Sequence, residues 1–526
     1  MKLIWLSNRK GNKIMEKMQH NKKIRTVIIL LCAIVFLTIT NYTKVLQGSD
    51  TITRALKWNS ESLVYNAMVL NYQNGVPSPY GLSNMYPYTG TYMGGLSDED
   101  TNFDEGYCTT KKVIAVNDNV NTQKAFAVGN TITFFNGDQA NVASTYAVDG
   151  YLFVEYEADE IFTYNEQGDL KYMVVYLNGE DRYMQMGENE PYESQIGLQG
   201  KIFSAYSTEN TIDEMSTVYK WGLAILFATV LTLICYGIYK KYNMVFAVVF
   251  YAVTVLSPWV IGYSTNLYWV EFTWFLPMLF GILCANHIEN KKIRIASYIG
   301  VMLSVALKSA CGYEYITTIM LSSIVFLLTD FTVAILERKD KQKVKRLFWT
   351  IFWMGIFALI GFAIALVFHA YLRGAGNIAN GLKSIYQYDV LRRTLGGDPN
   401  MFQDVYADSL NASIPRVLLR YLIFKTPLIL GVHGLLFIPL AAVSFFKLAY
   451  NVWKKKSDRQ IMVLYIWMGI ASISWFVLGK SHSYIHTGMN FVMWYFGYVQ
   501  IAFYVVIQAI IDKVKSIRVE KINEKR

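Results

Sequence analysis

Residues 347–368 read LFWTIFWMGIFALIGFAIALVF, twenty-two consecutive positions without a charged side chain. At about 1.5 Å of rise per residue, a helix of that length crosses a hydrocarbon core about 30 Å thick. In such a core only a structure that satisfies its own backbone groups is viable, and for a single run that structure is a helix. Runs at 26–40, 223–239 and 244–259 approach or reach the same length. With 53% hydrophobic and 17% charged residues, the chain is too apolar for an ordinary soluble domain. The expected fold class is a polytopic α-helical membrane protein.

Lys and Arg fix the topology. Ten spans are expected, at 26–41, 218–239, 244–262, 270–285, 295–307, 316–336, 347–371, 426–448, 461–478 and 489–511. Lys240-Lys241, the cluster Lys291, Lys292 and Arg294, the run 337–346, residues 454–456 and the tail 513–526 then fall on one side. By the positive-inside rule that side is cytoplasmic, so both termini lie inside and the bundle occupies the cell membrane. The 1–25 lead holds eight Lys/Arg against Glu16 alone, and no small-x-small cleavage site follows the first apolar run. A retained signal anchor at 26–43 is expected. The formal charge of +10 is thereby explained by topology, and nucleic acid is not an expected partner.

One long polar stretch, 44–217, separates the first span from a nine-helix bundle at 218–512. It carries 9 Lys/Arg against 24 Asp/Glu, a net −15, which leaves +25 on the rest of the chain. The segregation places this stretch outside the cytoplasm. Helical spacing of Leu56, Leu63, Ala67 and Leu70 predicts a juxtamembrane helix over 51–75, stopped at Gly75-Val-Pro77. Residues 109–190 alternate as strands do, with turn dipeptides Asn136-Gly137, Asp149-Gly150 and Asn178-Gly179. A β-rich extracytoplasmic domain inserted between the first and second spans is expected there, and 192–217 leads back to the membrane.

Familiar catalytic spacings are absent: no phosphate-cradling GxxxxGK[ST], no GxGxxG, no HExxH and no CxxC. Five cysteines form no spacing motif. Cys108 and Cys311 fall on one side in this topology and read as unpaired thiols. Unusual polar residues collect at the outer ends of spans. They are Tyr268, Trp269 and Glu271, Lys308 and Glu314, and Lys480, His482 and His486. The outer loop 372–413 adds Arg373, Arg392 and Arg393, with Asp398, Asp404 and Asp408. Ionisable groups near membrane depth cost several kcal/mol and tend to face a cavity or a partner. Trp269 also fits an interfacial belt, and Lys308 with Glu314 fits an ion pair across a turn. His482 and His486, four apart, suit contact with substrate or phosphate better than metal, because no carboxylate adjoins them. No metal ligand set is assigned, although a divalent ion remains compatible with the chemistry considered next.

Glu61 stands at the membrane surface in Trp58-Asn-Ser-Glu61-Ser-Leu-Val-Tyr65, where partial removal from water suits a carboxylate to general-base work. A solvated Glu in the first turn of a helix is the plainer reading. The arrangement as a whole is one inside terminus, one span, an outer helix opening with an acidic residue, and then a many-spanned bundle. It resembles the GT-C superfamily of membrane glycosyltransferases, whose first outer loop carries a D-E-x-x-Y-like pattern. Ser60-Glu61-Ser-Leu-Val-Tyr65 is similar to it, with Ala67 and Gly75 following, although Ser60 stands where that family usually has its acidic residue. The segments Tyr192-Glu-Ser-Gln-Ile-Gly197-Leu-Gln-Gly200 and Tyr268-Trp-Val-Glu-Phe-Thr-Trp-Phe-Leu-Pro277 resemble stretches of bacterial proteins near the superfamily. The resemblance implies transfer of a sugar from a polyprenyl-phosphate carrier to a glycan or protein acceptor outside the cytoplasm, in envelope glycan assembly. It implies Glu61 as base, Tyr65 beside it, and Lys308, Arg373, Arg392, Arg393, Lys480 and His482 as candidates for the phosphate. A lipid-linked polysaccharide polymerase, a glycan flippase and a glycan-binding membrane protein are the alternatives. A flippase fits less well because the span centres are nearly free of charge and no halves repeat.

Overall fold

The computed structural model describes residues 24–47, single positions between 52 and 68, 79–85, 113–157 and 174–185 with gaps, 189–207, 211–394, 397–401, 404–424, 426–454 and 458–523. The helices that place the site are α1 (Ile24–Thr43), α2 (Leu198–Ala205), α3 (Ile212–Lys241), α4 (Met244–Val255), α5 (Phe272–Asn286) and α6 (Lys291–Cys311). They continue with α7 (Ile316–Leu336), α8 (Lys341–Arg373), α9 (Phe437–Trp453), α10 (Arg459–Leu478), α11 (Lys480–Ile485) and α12 (Tyr498–Asn523). Among the described residues seven of them are long and apolar enough to cross a membrane: α1, α3, α6, α7, α8, α9 with the turn before it, and α10. The chain is a multi-pass helical membrane protein.

Four expected spans differ from the observed helices for local reasons; the one at 426–448 becomes helical only from Gly434, after a turn closed by an isolated Ile429–Val432 bridge. The run at 244–262 is not one helix. It stops at Leu256, and Ser257-Pro258 starts a new short helix, Pro258–Tyr263, with the Ser257 hydroxyl accepting from the Val260 N–H at 3.3 Å. Proline lacks the N–H that a continuing helix needs, and it biases the residue before it away from the helical region. The run at 489–511 opens instead as a 3-10 turn, Asn490–Tyr495, and breaks at Gly497 (φ +112) before α12 begins. The run at 295–307 is longer than hydropathy suggested. Asn290 caps α6 by accepting from Lys292 and Ile293, and the helix carries Lys308 inside its last turn.

Within the bundle α7 packs between α5 and α10, and α8 lies against α6 and α7. In the polar stretch, six strands form an antiparallel sheet. They are β2 (Val113–Asn117), β3 (Thr131–Thr133), β4 (Gln139–Val148), β5 (Tyr151–Glu157), β6 (Val174–Leu177) and β7 (Tyr183–Gln185), in spatial order β2-β5-β4-β3-β6-β7. Each of the three turn dipeptides lies in sequence between two strands that pair with each other. Two shorter strands, β1 (Ser83–Met85) and β8 (Asn189–Pro191), pair separately, Ser83 opposite Pro191. That pairing matters for the site. It sets Gly81 against Gly197 and Gly200, and a Cβ at Gly200 would overlap the Gly81 carbonyl. Only glycine permits so close a backbone approach. The stretch Tyr192–Ala205 is thereby held against the end of the bundle, with Tyr192 N–H donating to the Leu82 carbonyl at 2.8 Å.

Candidate functional site

Where α5, α6, α7 and α10 end, a pocket of about 200 Å³ opens. It is lined by Ser60, Tyr192, Tyr268, Trp269, Glu314, Arg392, Arg393, His482 and His486, with Leu63, Ile485 and Met489. Pockets that enclose drug-sized ligands run to roughly 300–1,000 Å³, so this one suits a single small group such as one sugar ring or a phosphate. Aromatic faces with a few convergent polar groups are the usual composition of a ligand site.

Glu314 is the carboxylate in the pocket. It lies between α6 and α7 and is 4% exposed. Its Oε1 accepts from the Gln195 side-chain amide at 2.7 Å and from the Tyr268 hydroxyl at 2.9 Å. Its Oε2 has no hydrogen-bond partner among the described residues. A buried polar atom left without a partner costs free energy of about 1–3 kcal/mol, more if charged, so such an atom demands an explanation. Gln199, four residues beyond Gln195 and in the first turn of α2, donates to the carbonyls of Tyr268 and Cys311 at 2.8 and 3.0 Å. The two glutamines thus stitch the segment Tyr192–Ala205 to both loops that carry the pocket.

Backbone strain adjoins the same place. Tyr315, next to Glu314, has φ +65, and Val270, beside Trp269, has φ +41. A bulky or β-branched residue in that region is a rare and costly arrangement that persists when the surroundings over-determine it. The surroundings are aromatic. Trp269 stacks on Tyr315 with ring centroids 5.3 Å apart, and Trp274 meets both edge-on. The Trp269 indole N–H donates to the Ser60 hydroxyl at 2.8 Å, and the Tyr315 hydroxyl donates to Asn490 at 2.8 Å.

The cations come from the loop after α8. Asp389, buried, lies 3.5 Å from Arg373, 3.8 Å from Arg392 and 3.5 Å from Arg393. Glu193 adds a second carboxylate 3.6 Å from Arg373, so two carboxylates among three guanidinium groups leave the cluster at +1. Arg393 also donates to the Tyr192 hydroxyl at 3.1 Å. Arg373 stands back from the pocket and donates to the Glu193 carbonyl at 2.6 Å, where His369 also reaches, at 2.9 Å. On the opposite wall the rings of His482 and His486 sit 4.5 Å apart. Burial, with Arg393 beside it, pushes the His486 imidazole down to about 4, Glu314 opposing. Burial, then His486 and the two arginines, lowers His482 as well. Both rings are neutral near pH 7 and act as hydrogen-bonding groups rather than as charges.

The expected site residues therefore divide. Tyr268, Trp269, Glu314, Arg392, Arg393, His482 and His486 meet in one pocket, and Arg373 supports it. The others lie elsewhere. Glu61, one residue from the lining Ser60, is turned away. Its carboxylate pairs with Lys220 at 3.2 Å and accepts from the Leu267 N–H at 3.1 Å. Tyr65 lies beside that pair, the Lys220 ammonium 5.7 Å from its ring. Burial, with Glu61 near, raises the Tyr65 hydroxyl above its ordinary value. Glu271 is fully buried at the start of α5, both carboxylate oxygens without a hydrogen-bond partner among the described residues. Lys44 donates to the Ile261 carbonyl, and burial pulls its ammonium down to about 7 against Glu271 and Glu61. Lys308 is not paired with Glu314 but donates to the Gly312 carbonyl at 2.6 Å. Lys480 donates to the carbonyls of Leu410 and Ala412 at 2.5 and 2.7 Å. Lys308 and Lys480 are thus committed to loop carbonyls. Cys311 is a free, buried thiol, and Cys108 lies outside the described residues.

Gln195, Gln199, Asp389 and Asn490 are functional neighbours that residue type alone did not single out. The one available signal was the place of the two glutamines in the segment from Tyr192 to Gly200. Among the described residues no group of three or more His, Cys, Asp or Glu side chains converges as a metal site.

Fold and site together define a polytopic helical membrane protein with a polar, aromatic-walled pocket at one end of its bundle. In comparisons with known proteins, no family model, no curated relative and no solved structure matches the chain.

Proposed function

We propose that the chain is a GT-C-like glycosyltransferase of the cell membrane that moves a sugar from a polyprenyl-phosphate carrier to an acceptor hydroxyl in envelope glycan assembly. In this reading ten segments cross or enter the bilayer, both termini are cytoplasmic, and the pocket and the β-rich insert face outward. The observation that carries it is the half-partnered Glu314 carboxylate set in one pocket with Arg392, Arg393 and aromatic faces. The acceptor oxygen attacks the anomeric carbon as the bond from that carbon to the phosphate oxygen breaks. The acceptor proton passes to Glu314 Oε2, and the leaving polyprenyl phosphate keeps the electron pair, its charge balanced by the two arginines. Tyr192, Tyr268 and Trp269 offer ring faces to the sugar, and the neutral His482 and His486 offer hydrogen bonds.

Glu314 takes the role of base in preference to Glu61, because Glu61 is already tied to Lys220 and to a backbone N–H. Replacing Glu314 by Gln preserves an acceptor for Gln195 and Tyr268 but removes the base. The test is mass analysis of lipid-linked sugars in a deletion strain complemented with either form. The expected result is an accumulated polyprenyl-phosphate sugar in the deletion strain, cleared by the wild type. With Glu314→Gln, transfer falls by about 10²–10⁴, the usual contribution of a general base. Full clearance by the variant would remove Glu314 from the mechanism, and an unchanged lipid profile in the deletion strain would refute the transferase reading.

A further inference from the structure

A larger cavity than the candidate pocket lies at the other end of the bundle. It encloses about 760 Å³ among the ends of α3, α5, α7, α8, α9 and α10, within the roughly 300–1,000 Å³ of ligand sites. Helix α7 separates it from the pocket described above: Glu314 precedes the helix, while Asp330 and Glu337 lie at its far end. Twenty-one residues at about 1.5 Å each put about 31 Å between the two.

Four cations, Lys241, Lys339, Lys343 and Arg459, and two carboxylates, Asp330 and Glu337, line this cavity. Both Asp330 oxygens are engaged, one by Lys241 at 2.6 Å and one by the Gln460 amide at 3.2 Å. Glu337 lies 3.2 Å from Lys339 and 3.8 Å from Arg459. Lys343 has no carboxylate within ion-pair distance among the described residues. The fixed charge is therefore +2, with its surplus at Lys343 and along the Lys339 and Arg459 side. Four C-terminal helix ends (α3, α5, α7, α9) and two N-terminal ones (α8, α10) meet here, a net dipole contribution of about −1 that fades within a turn, so the side chains still decide the sign. The remaining wall is apolar: Ala285, Ile288, Val333, Ala334, Leu347 and Val452. Ile335, Leu336 and Phe348, next in sequence to that wall, are exposed on the outer surface.

We propose that this cavity binds a phosphate group, carried by an acidic membrane lipid or by a free phosphorylated compound. The ammonium and guanidinium groups take the phosphate, and the apolar wall takes the carbon skeleton attached to it. The site is independent of any transfer chemistry at the opposite end.

The test uses the purified full chain in nanodiscs of phosphatidylcholine alone or mixed with phosphatidylglycerol, with retained lipid read by native mass spectrometry. In the phosphatidylcholine discs, inorganic phosphate is titrated while the unfolding midpoint is followed. Selective retention of phosphatidylglycerol identifies the lipid as the source. Stabilisation by inorganic phosphate without lipid preference identifies a free ligand. In either arm Lys343→Gln weakens the effect about fivefold, the usual contribution of one basic residue at an anionic surface, and Lys343→Arg retains it. Lys343 is exposed, so neither substitution disturbs packing. Lys291→Gln, also exposed and at the same end but outside the cavity, changes nothing. Indifference to both probes overturns the proposal. So does an equal loss on Lys291→Gln, which would mean a diffuse surface field rather than a site.

Discussion

Lys220→Met tests how the Glu61 carboxylate, next in sequence to the lining Ser60, is held. Lys220 and Glu61 are 3.2 Å apart, with side-chain exposures of 27% and 6%. At an effective dielectric constant of about 20 their attraction is about 5 kcal/mol. Desolvation offsets much of that, and the partly exposed ammonium is screened further. Removing the ammonium alone leaves a buried charge with only the Leu267 N–H and the more distant Lys44 to answer it. Such truncations cost about 3–5 kcal/mol when both groups are fully buried. Allowing for the exposure of Lys220, a loss of about 2–3 kcal/mol is expected. Glu61→Gln keeps an acceptor for Leu267 and leaves Lys220 with access to water and the Tyr65 ring, a loss of about 1 kcal/mol. The double variant buries no unpaired charge and should also lose only about 1 kcal/mol, so the pair couples by about 2–3 kcal/mol. Unfolding of the four purified forms in an SDS titration, followed by tryptophan fluorescence, measures the cycle. Additivity to within about 0.5 kcal/mol would refute the reasoning. If the coupling is found, any loss of activity in Glu61→Gln should follow the amount of folded protein and not turnover per molecule.

Gly312→Ala probes the placement of Glu314 without altering any charge. A Cβ there would sit 2.6 Å from Glu314 Oε2 and closer still to the Gln195 carbonyl oxygen, so the carboxylate must move by most of an ångström. Misplacement on that scale is expected to reduce transfer by about 10²-fold, and wild-type turnover in the variant would refute the positional argument. The histidines predict a dependence on pH. Unfolded His486 takes a proton near its ordinary 6.5, whereas the folded ring waits until about 4. Stability is therefore whole above about pH 6.5 and lost as pH falls toward 4, by at most about 3 kcal/mol. His486→Gln should reduce the slope of unfolding free energy between pH 6.5 and 4.5, leaving the part due to His482, and an unchanged slope would refute the assignment.

Charge and hydropathy made much of the bundle legible in the sequence, because the constraint of a lipid solvent is severe and local. They overshot at Ser257-Pro258 and before Gly497, where mean apolarity hides a backbone break. The site was legible in part. Glu314, His482 and the paired arginines are costly residues at helix ends, and that expectation rests on energy alone. What residue type does not carry is orientation. Ser60 and Glu61 are adjacent, yet only Ser60 lines the pocket, because the Trp269 indole N–H takes its hydroxyl while Lys220 takes the carboxylate. Lys308 and Lys480 look like phosphate ligands by position, but each is consumed by a loop carbonyl that no local pattern announces.

The same distinction, between charges already answered and charges left open, ranks the ionisable groups at both ends of α7. At one end Glu61 is answered by Lys220, while Glu314 keeps one oxygen without a partner in a small pocket beside two arginines. At the other end Asp330 is answered twice, while Lys343, on the wall of a large cavity, has no carboxylate within ion-pair distance among the described residues. A satisfied pair contributes order and little chemistry, since both charges must be separated before either can act. A buried unanswered charge such as Glu314 has its desolvation cost already met by the fold, and a ligand of opposite character recovers it. The exposed Lys343 instead adds a cation that no described carboxylate neutralises. Glu314 therefore suits a proton donor such as a hydroxyl, and the Lys343 side suits a phosphate. Helix α7, about as long as a hydrocarbon core is thick, holds the two sites one bilayer thickness apart.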